Sequence, residues 1–121
     1  MARFEIEGNE YDVKLTFAGV KYLGSLYEGG ALSLIGKAMS GDLDTFSHII
    51  HAGLFHTEKN FALKTVEKAI EQAFEAEKLD MEAVLKMSNE VVTESFFFKK
   101  IVAKLVAKNP EAFKQMQEIL S

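Results

Sequence analysis

Three histidines in HIIHAGLFH, His48, His51 and His56, are the first side chains in this sequence that could do chemistry. His48 and His51 stand one helical turn apart and could share a metal ion, with His56 or a carboxylate as third ligand. No HExxH spacing accompanies them, and histidines so spaced are common on partly exposed helices, so no metal ligand is assigned. The glycine-rich GGALSLIGKAMSGD places Lys37 after Gly36, but a phosphate loop needs Ser or Thr after the lysine, and Ala38 stands there. Its glycines read as helix ends, and no cofactor site is assigned. Glu67, Glu71, Glu75 and Glu77 could be arranged for acid/base work, yet without a partner residue they read as a solvated helix face. Serine, histidine and aspartate all occur, but no G-x-S-x-G elbow supports a nucleophilic triad, so no catalytic residue is named.

Phe96-Phe97-Phe98 followed by Lys99-Lys100 could be a base-stacking platform. Stacking modules carry aromatics on sheet faces among dispersed basic residues, whereas these lie in a helical pattern of an acidic protein. They read instead as core plus protein interface. Residues 88–108, SNEVVTESFFFKKIVAKLVAK, are expected to form the longest helix, and it is apolar on most sides. At about 100° per residue, Val91, Phe98, Val102 and Leu105 form one stripe, with Ser95 and Val106 at its edge. Val92, Phe96, Ala103 and Ala107 form a second, and Phe97 with Ile101 flank the first. A helix so apolar is either central to a bundle or packed against a second body.

The chain that must position these residues has 121 of them, 48% hydrophobic, with ten Phe, three Tyr and no Trp. That balance favours packing over polar recognition, and the apolar surplus points to burial between chains. The absence of cysteine excludes disulfide scaffolds, thiolate metal sites and cysteine nucleophiles together. The opening MARFEIEGNE has no apolar run of the signal-peptide kind, and no stretch is suited to crossing a membrane, so a soluble protein not exported by a standard route is expected. Net charge is −4, acidic over residues 1–94 and basic over 95–121. Such an acidic body argues against general nucleic-acid affinity, and its basic end allows head-to-tail contact between copies.

Phe4 and Ile6, then Tyr11, Val13, Leu15 and Phe17, alternate with polar residues on either side of Gly8-Asn9. This predicts a β-hairpin over 3–16, with strands near 3–7 and 10–16. Helices are expected at about 17–27, capped by Thr16, with Phe17, Val20, Leu23 and Tyr27 inward; at 31–39; and at 43–55, capped by Asp42 or Asp44. Further helices follow at 64–77 and at 81–108 with a break near 87. The last, at 110–120, starts at Asn109-Pro110 and carries Phe113, Met116, Ile119 and Leu120. The expectation is one domain over 1–121, of class α+β and mainly α: an N-terminal hairpin packed on a small bundle of about five to six helices.

FEIEGNEYDVKLTFAGVKYL, GGALSLIGKAMSGDLDTFSHIIHAGLFHT and SNEVVTESFFFKK, in this order and spacing, resemble the tail assembly chaperones of long-tailed, siphovirus-type phages and prophages. The resemblance covers nearly the whole chain. It implies a non-enzymatic protein of the bacterial host cytoplasm that binds the long helical tape measure protein, keeps it soluble and recruits tail tube protein around it. Many such proteins exist in two lengths through a programmed frameshift, and this chain looks like the short form or the shared amino-terminal part. The alternative is a small structural or adaptor subunit of a tail or connector, retained in the virion. Self-association into a homo-oligomer is expected, with no nucleic acid or membrane as partner. The expected contact surface is Val92, Phe96, Phe97 and Ile101, joined by Phe113 and Met116 of a movable last helix.

Overall fold

The computed structural model describes residues 2–95, 99–108, 110, 111 and 114. Strands β1 (Arg3–Ile6) and β2 (Asn9–Asp12) pair antiparallel, with Arg3 opposite Asp12 and Ile6 opposite Asn9. The turn is therefore Glu7-Gly8, one residue earlier than expected, and both of its residues have positive φ, 53° and 83°. Two positive φ angles in a two-residue loop match the right-handed twist of the strands. Side chains decide between the two registers. In this one the Arg3 Nε lies 3.0 Å from a Glu10 oxygen and 3.2 Å from one of Asp12. Phe4 and Ile6 turn to the helices, where the Phe4 ring meets Phe46 edge to face at 6.5 Å. Burying two such side chains is worth about 1.5–3 kcal/mol each, which fixes a ribbon that would be marginal alone.

Among the described residues six α-helices follow: α1 (Phe17–Leu26), α2 (Ala31–Ser40), α3 (Leu43–Gly53), α4 (Leu63–Glu75), α5 (Met81–Glu94) and α6 (Lys99–Lys108), with a 3-10 turn at Phe55–Thr57. The fold is thus an N-terminal hairpin on a mainly helical body. Three helix starts are set by local capping. Thr16 Oγ1 accepts from the Gly19 amide at 3.2 Å, Asp42 Oδ2 from the Thr45 amide at 2.9 Å and Asp80 Oδ1 from the Ala83 amide at 2.8 Å. The central element is α3, which packs on α1, α2, α4 and α5 and buries Phe46, Ile49, Ile50 and Ala52 completely.

Two further expectations change. The stretch 88–108 is neither central nor one helix: α5 runs unbroken through Met87, and the interruption falls at Ser95, whose φ and ψ are −73° and 122°. Nothing in Lys86-Met87-Ser88 breaks a helix, whereas the β-branched run Val91-Val92-Thr93 weakens the last turn and serine favours a terminus. The Ser95 carbonyl then accepts from the Lys99 amide at 3.2 Å as α6 begins. Phe17, expected inward, is 71% exposed. Rotation at about 100° per residue puts it across α1 from the buried Gly19 and Leu23. The expected helix 110–120 lies mostly outside the described residues.

Candidate functional site

The histidines come first, because their fate decides whether the fold holds a chemical centre. His48 and His51, on α3, both reach the Tyr22 hydroxyl of α1 through Nδ1, at 3.0 and 3.2 Å. His51 Nε2 lies 2.8 Å from the Phe61 carbonyl, which can only accept, so that nitrogen carries a proton. In the neutral ring His51 Nδ1 then accepts from Tyr22. The hydroxyl has a single proton to give, so His48 Nδ1 donates to the same oxygen. His56 Nε2 donates to the Asp12 carbonyl at 2.7 Å. The three rings are spread over three separate tasks: fastening α1, the 56–62 connector and β2 to α3 and its end. Among the described residues no three His, Cys, Asp or Glu side chains come together as metal ligands. The Tyr22 phenol is raised above its ordinary value by burial first, then by the neighbouring Tyr27 and Glu67.

A second polar chain crosses the same helices. The Tyr27 hydroxyl donates to Thr45 Oγ1 at 3.0 Å, and Thr45 Oγ1 donates to Asp42 Oδ2 at 2.6 Å. Asp42 is held below the usual carboxylate range by the Thr45 hydroxyl and then by the Thr45 amide. Burial raises Tyr27 despite its bond to Thr45. Lys37 Nζ stands 5.6 Å from the Tyr27 ring centre, so α1, α2 and α3 meet at one latch. Its groups bond to one another across the three helices.

What is open to the outside is of another kind. A cleft of about 370 Å³ runs between β1 and the end of α4, with Arg3, Glu5, Glu7 and Gly8 on one wall and Ala69, Gln72, Ala73, Ala76 and Lys78 on the other. Its base includes Phe4, Leu79 and Met87. Among the described residues the large apolar side chains that stand exposed are Phe17, Leu26, Leu43 and Met81. Phe17, Leu43 and Met81 are each the first residue of a helix, directly after the capping Thr16, Asp42 and Asp80. Sequence reading missed them, although a large apolar residue straight after a strong N-cap was a usable signal.

Of the contact surface expected from sequence, Val92 is 1% exposed and belongs to the core with Val84 and Val91, so it offers nothing to a partner in this conformation. Its side of α5 faces the bundle because α5 packs on both α2 and α3. Phe96, Phe97, Phe113 and Met116 lie outside the described residues, and Ile101 is placed in α6 by its backbone only. Described side chains of α6 that are exposed include Lys99, Lys100, Lys104 and Lys108, with Ala103 and Ala107. The helix carries no acidic residue. No helix among the described residues is long and apolar enough to cross a membrane.

With that geometry in hand, comparison with known proteins adds one finding. The family model described as phage tail assembly chaperone protein, TAC, matches residues 3–107, from the first strand to the last turn of α6. No curated protein and no solved structure matches the chain.

Proposed function

Because the chain belongs to the phage tail assembly chaperone family, we propose that it binds the tape measure protein in the host cytoplasm, keeps that client soluble and promotes assembly of tail tube protein around it, without catalysing a reaction. The observation that carries this reading is the family match over residues 3–107. Contact with the client is assigned to Phe96, Phe97 and Ile101, with Phe113 and Met116, and Val92 is left out because it is already buried. Each apolar side chain sealed against a client helix contributes about 1.5–3 kcal/mol before the cost of ordering it. Several copies on one long client add avidity, and the cationic α6 of one copy and the acidic hairpin of the next suit self-association.

Co-expression with the tape measure protein of the same phage tests this reading. A soluble complex should be recovered by pull-down, and Phe97→Asp should leave the far-ultraviolet spectrum intact while reducing recovery. If the tape measure protein is equally soluble with and without this chain and no complex forms, the assignment fails. Recovery of the chain from purified virions would replace it with a subunit retained in the particle.

A further inference from the structure

The two edges of the hairpin are treated differently by the rest of the fold. The Val13 amide donates to the Ala2 carbonyl at 2.8 Å. Alternation along an antiparallel pair then makes Phe4–Tyr11 and Ile6–Asn9 the hydrogen-bonded pairs. The amides and carbonyls of Arg3 and Glu5 on β1, and of Glu10 and Asp12 on β2, point away from the partner strand. On β2 this outward row is tied to the body at its far end: the Asp12 carbonyl accepts from His56 Nε2, and just beyond the strand the Lys14 amide donates to the Gly53 carbonyl at 3.0 Å. On β1, among the described residues, the outward groups of Arg3 and Glu5 have no hydrogen-bond partner.

That open row borders the cleft between β1 and α4. A strand laid along it would bond to the Arg3 and Glu5 backbones at the usual spacing of about 4.8 Å, with alternate side chains turned toward α4. Ala69, Ala73 and Ala76 are small and leave those side chains room. The other side chains of the strand would point to the solvent face, where Glu5 and Glu7 stand at the rim. Arg3 is already engaged by Glu10 and Asp12, while Glu5 has only Lys78 at 3.8 Å and faces Glu10 across the hairpin. The free charge at the rim is therefore negative. A second copy of this chain fits less well, because its β1 arrives with β2 attached and needs more room than a single strand in a cleft of about 370 Å³.

We propose that this cleft takes an extended segment of another polypeptide as a third strand on β1, with small apolar residues turned to α4 and lysine or arginine turned to Glu5 and Glu7. The surface is separate from the stretch assigned to the helical client, and it stands whether or not that assignment does.

The probe is an acetylated, amidated six-residue peptide alternating lysine and valine, titrated into the full-length ¹⁵N-labelled protein. The Arg3 and Glu5 amide resonances should shift most and become protected from hydrogen exchange. A version with glutamate for lysine, and one methylated on the lysine amides that would face β1, should each bind at least about tenfold more weakly. Glu5→Lys, an exposed change, should narrow or reverse the preference for lysine over glutamate. The proposal is overturned if the lysine–valine peptide leaves the Arg3 and Glu5 amides unmoved at millimolar concentration, or if the methylated peptide binds as well. It is equally overturned if those amides are already protected in the free protein. Protection lost on dilution would identify a second copy as the occupant, and protection that persists would identify the chain's own residues.

Discussion

Replacing Gly53 by alanine tests how the hairpin is held. Gly53 closes α3, and a Cβ built there would run into Cγ1 of Val13, which is 2% exposed. The Gly53 carbonyl also accepts from the Lys14 amide, so the residue touches the strand end with both side-chain space and backbone. Three effects compete. Alanine for glycine in a helix stabilises by at most about 1 kcal/mol. Overpacking a tight contact costs about 1–3 kcal/mol, and stretching the Lys14 bond costs roughly 1 kcal/mol more. The clash wins, and Gly53→Ala should destabilise by about 1–3 kcal/mol. Urea unfolding followed by circular dichroism reads this as a midpoint lower by about 1 M for a slope near 2 kcal/mol/M. A double-mutant cycle with Val13→Ala isolates the contact. The shortened side chain should relieve the clash, so the double variant should be more stable than the sum of the two losses by about 1 kcal/mol or more. If Gly53→Ala is as stable as the parent, or the two changes simply add, the close approach of α3 to the hairpin is not what fixes that glycine.

Tyr22→Phe removes the oxygen shared by His48 and His51 and should cost about 1–3 kcal/mol in thermal or urea unfolding, since two ring nitrogens lose their partner. A loss below about 0.5 kcal/mol would mean that water replaces the hydroxyl freely. Asp42→Ala should cost about 0.5–2 kcal/mol at neutral pH. The folded-state pKa of Asp42 is depressed, so its stabilisation is complete above the ordinary value of 3.8 and is lost as pH falls through the lower folded value. The gap between parent and variant should accordingly close below about pH 4, and a gap constant from pH 7 to pH 2 would refute the charged cap. Glu7→Asn should raise stability by about 0.5–1 kcal/mol, because Asn-Gly accepts the two positive φ angles that Glu7-Gly8 now adopts. An unchanged unfolding midpoint would contradict that turn.

Local chemistry was legible in the sequence. The caps at Thr16, Asp42 and Asp80 and the alternation around Gly8 placed the hairpin and the starts of α1, α3 and α5, because each depends on residues within about four positions. The turn register was not, since Glu7-Gly8 and Gly8-Asn9 are both plausible two-residue loops, and what distinguishes the observed one is the cross-strand pairing of Arg3 with Glu10 and Asp12, far from the turn itself. Nor was the identity of the central helix. In sequence α3 carries Thr45, Ser47, His48 and His51 and looks amphipathic, while 88–108 looks apolar all round. In the fold those polar atoms are satisfied by Asp42, Leu43, Tyr22 and Phe61, so α3 can lie in the middle, and the more apolar stretch is split at Ser95. Periodicity measures how greasy a face is, and hydrogen-bond partners far along the chain decide whether a polar face can be buried too.

The same limit hid the cleft. A hairpin has two edges, and the sequence of the strands does not say which is tied to the body; here that depends on His56 and Gly53, more than thirty residues beyond β2. An uncovered strand edge is a hazard unless something restrains indiscriminate pairing. On β1 the restraint is charge: Arg3 and Glu5 sit on the edge itself and Glu7 at its end. Charged side chains at a strand edge repel most apolar or acidic segments, yet they do not close the row of backbone groups beneath them. An edge guarded in this way excludes by sequence and not by sterics, and the segments it admits are those whose positive charges answer Glu5 and Glu7. Of the histidines that looked like metal ligands, His56 thus bears on recognition at a distance: by bonding the Asp12 carbonyl it ties the β2 edge to the body, while the backbone row of β1 stays open.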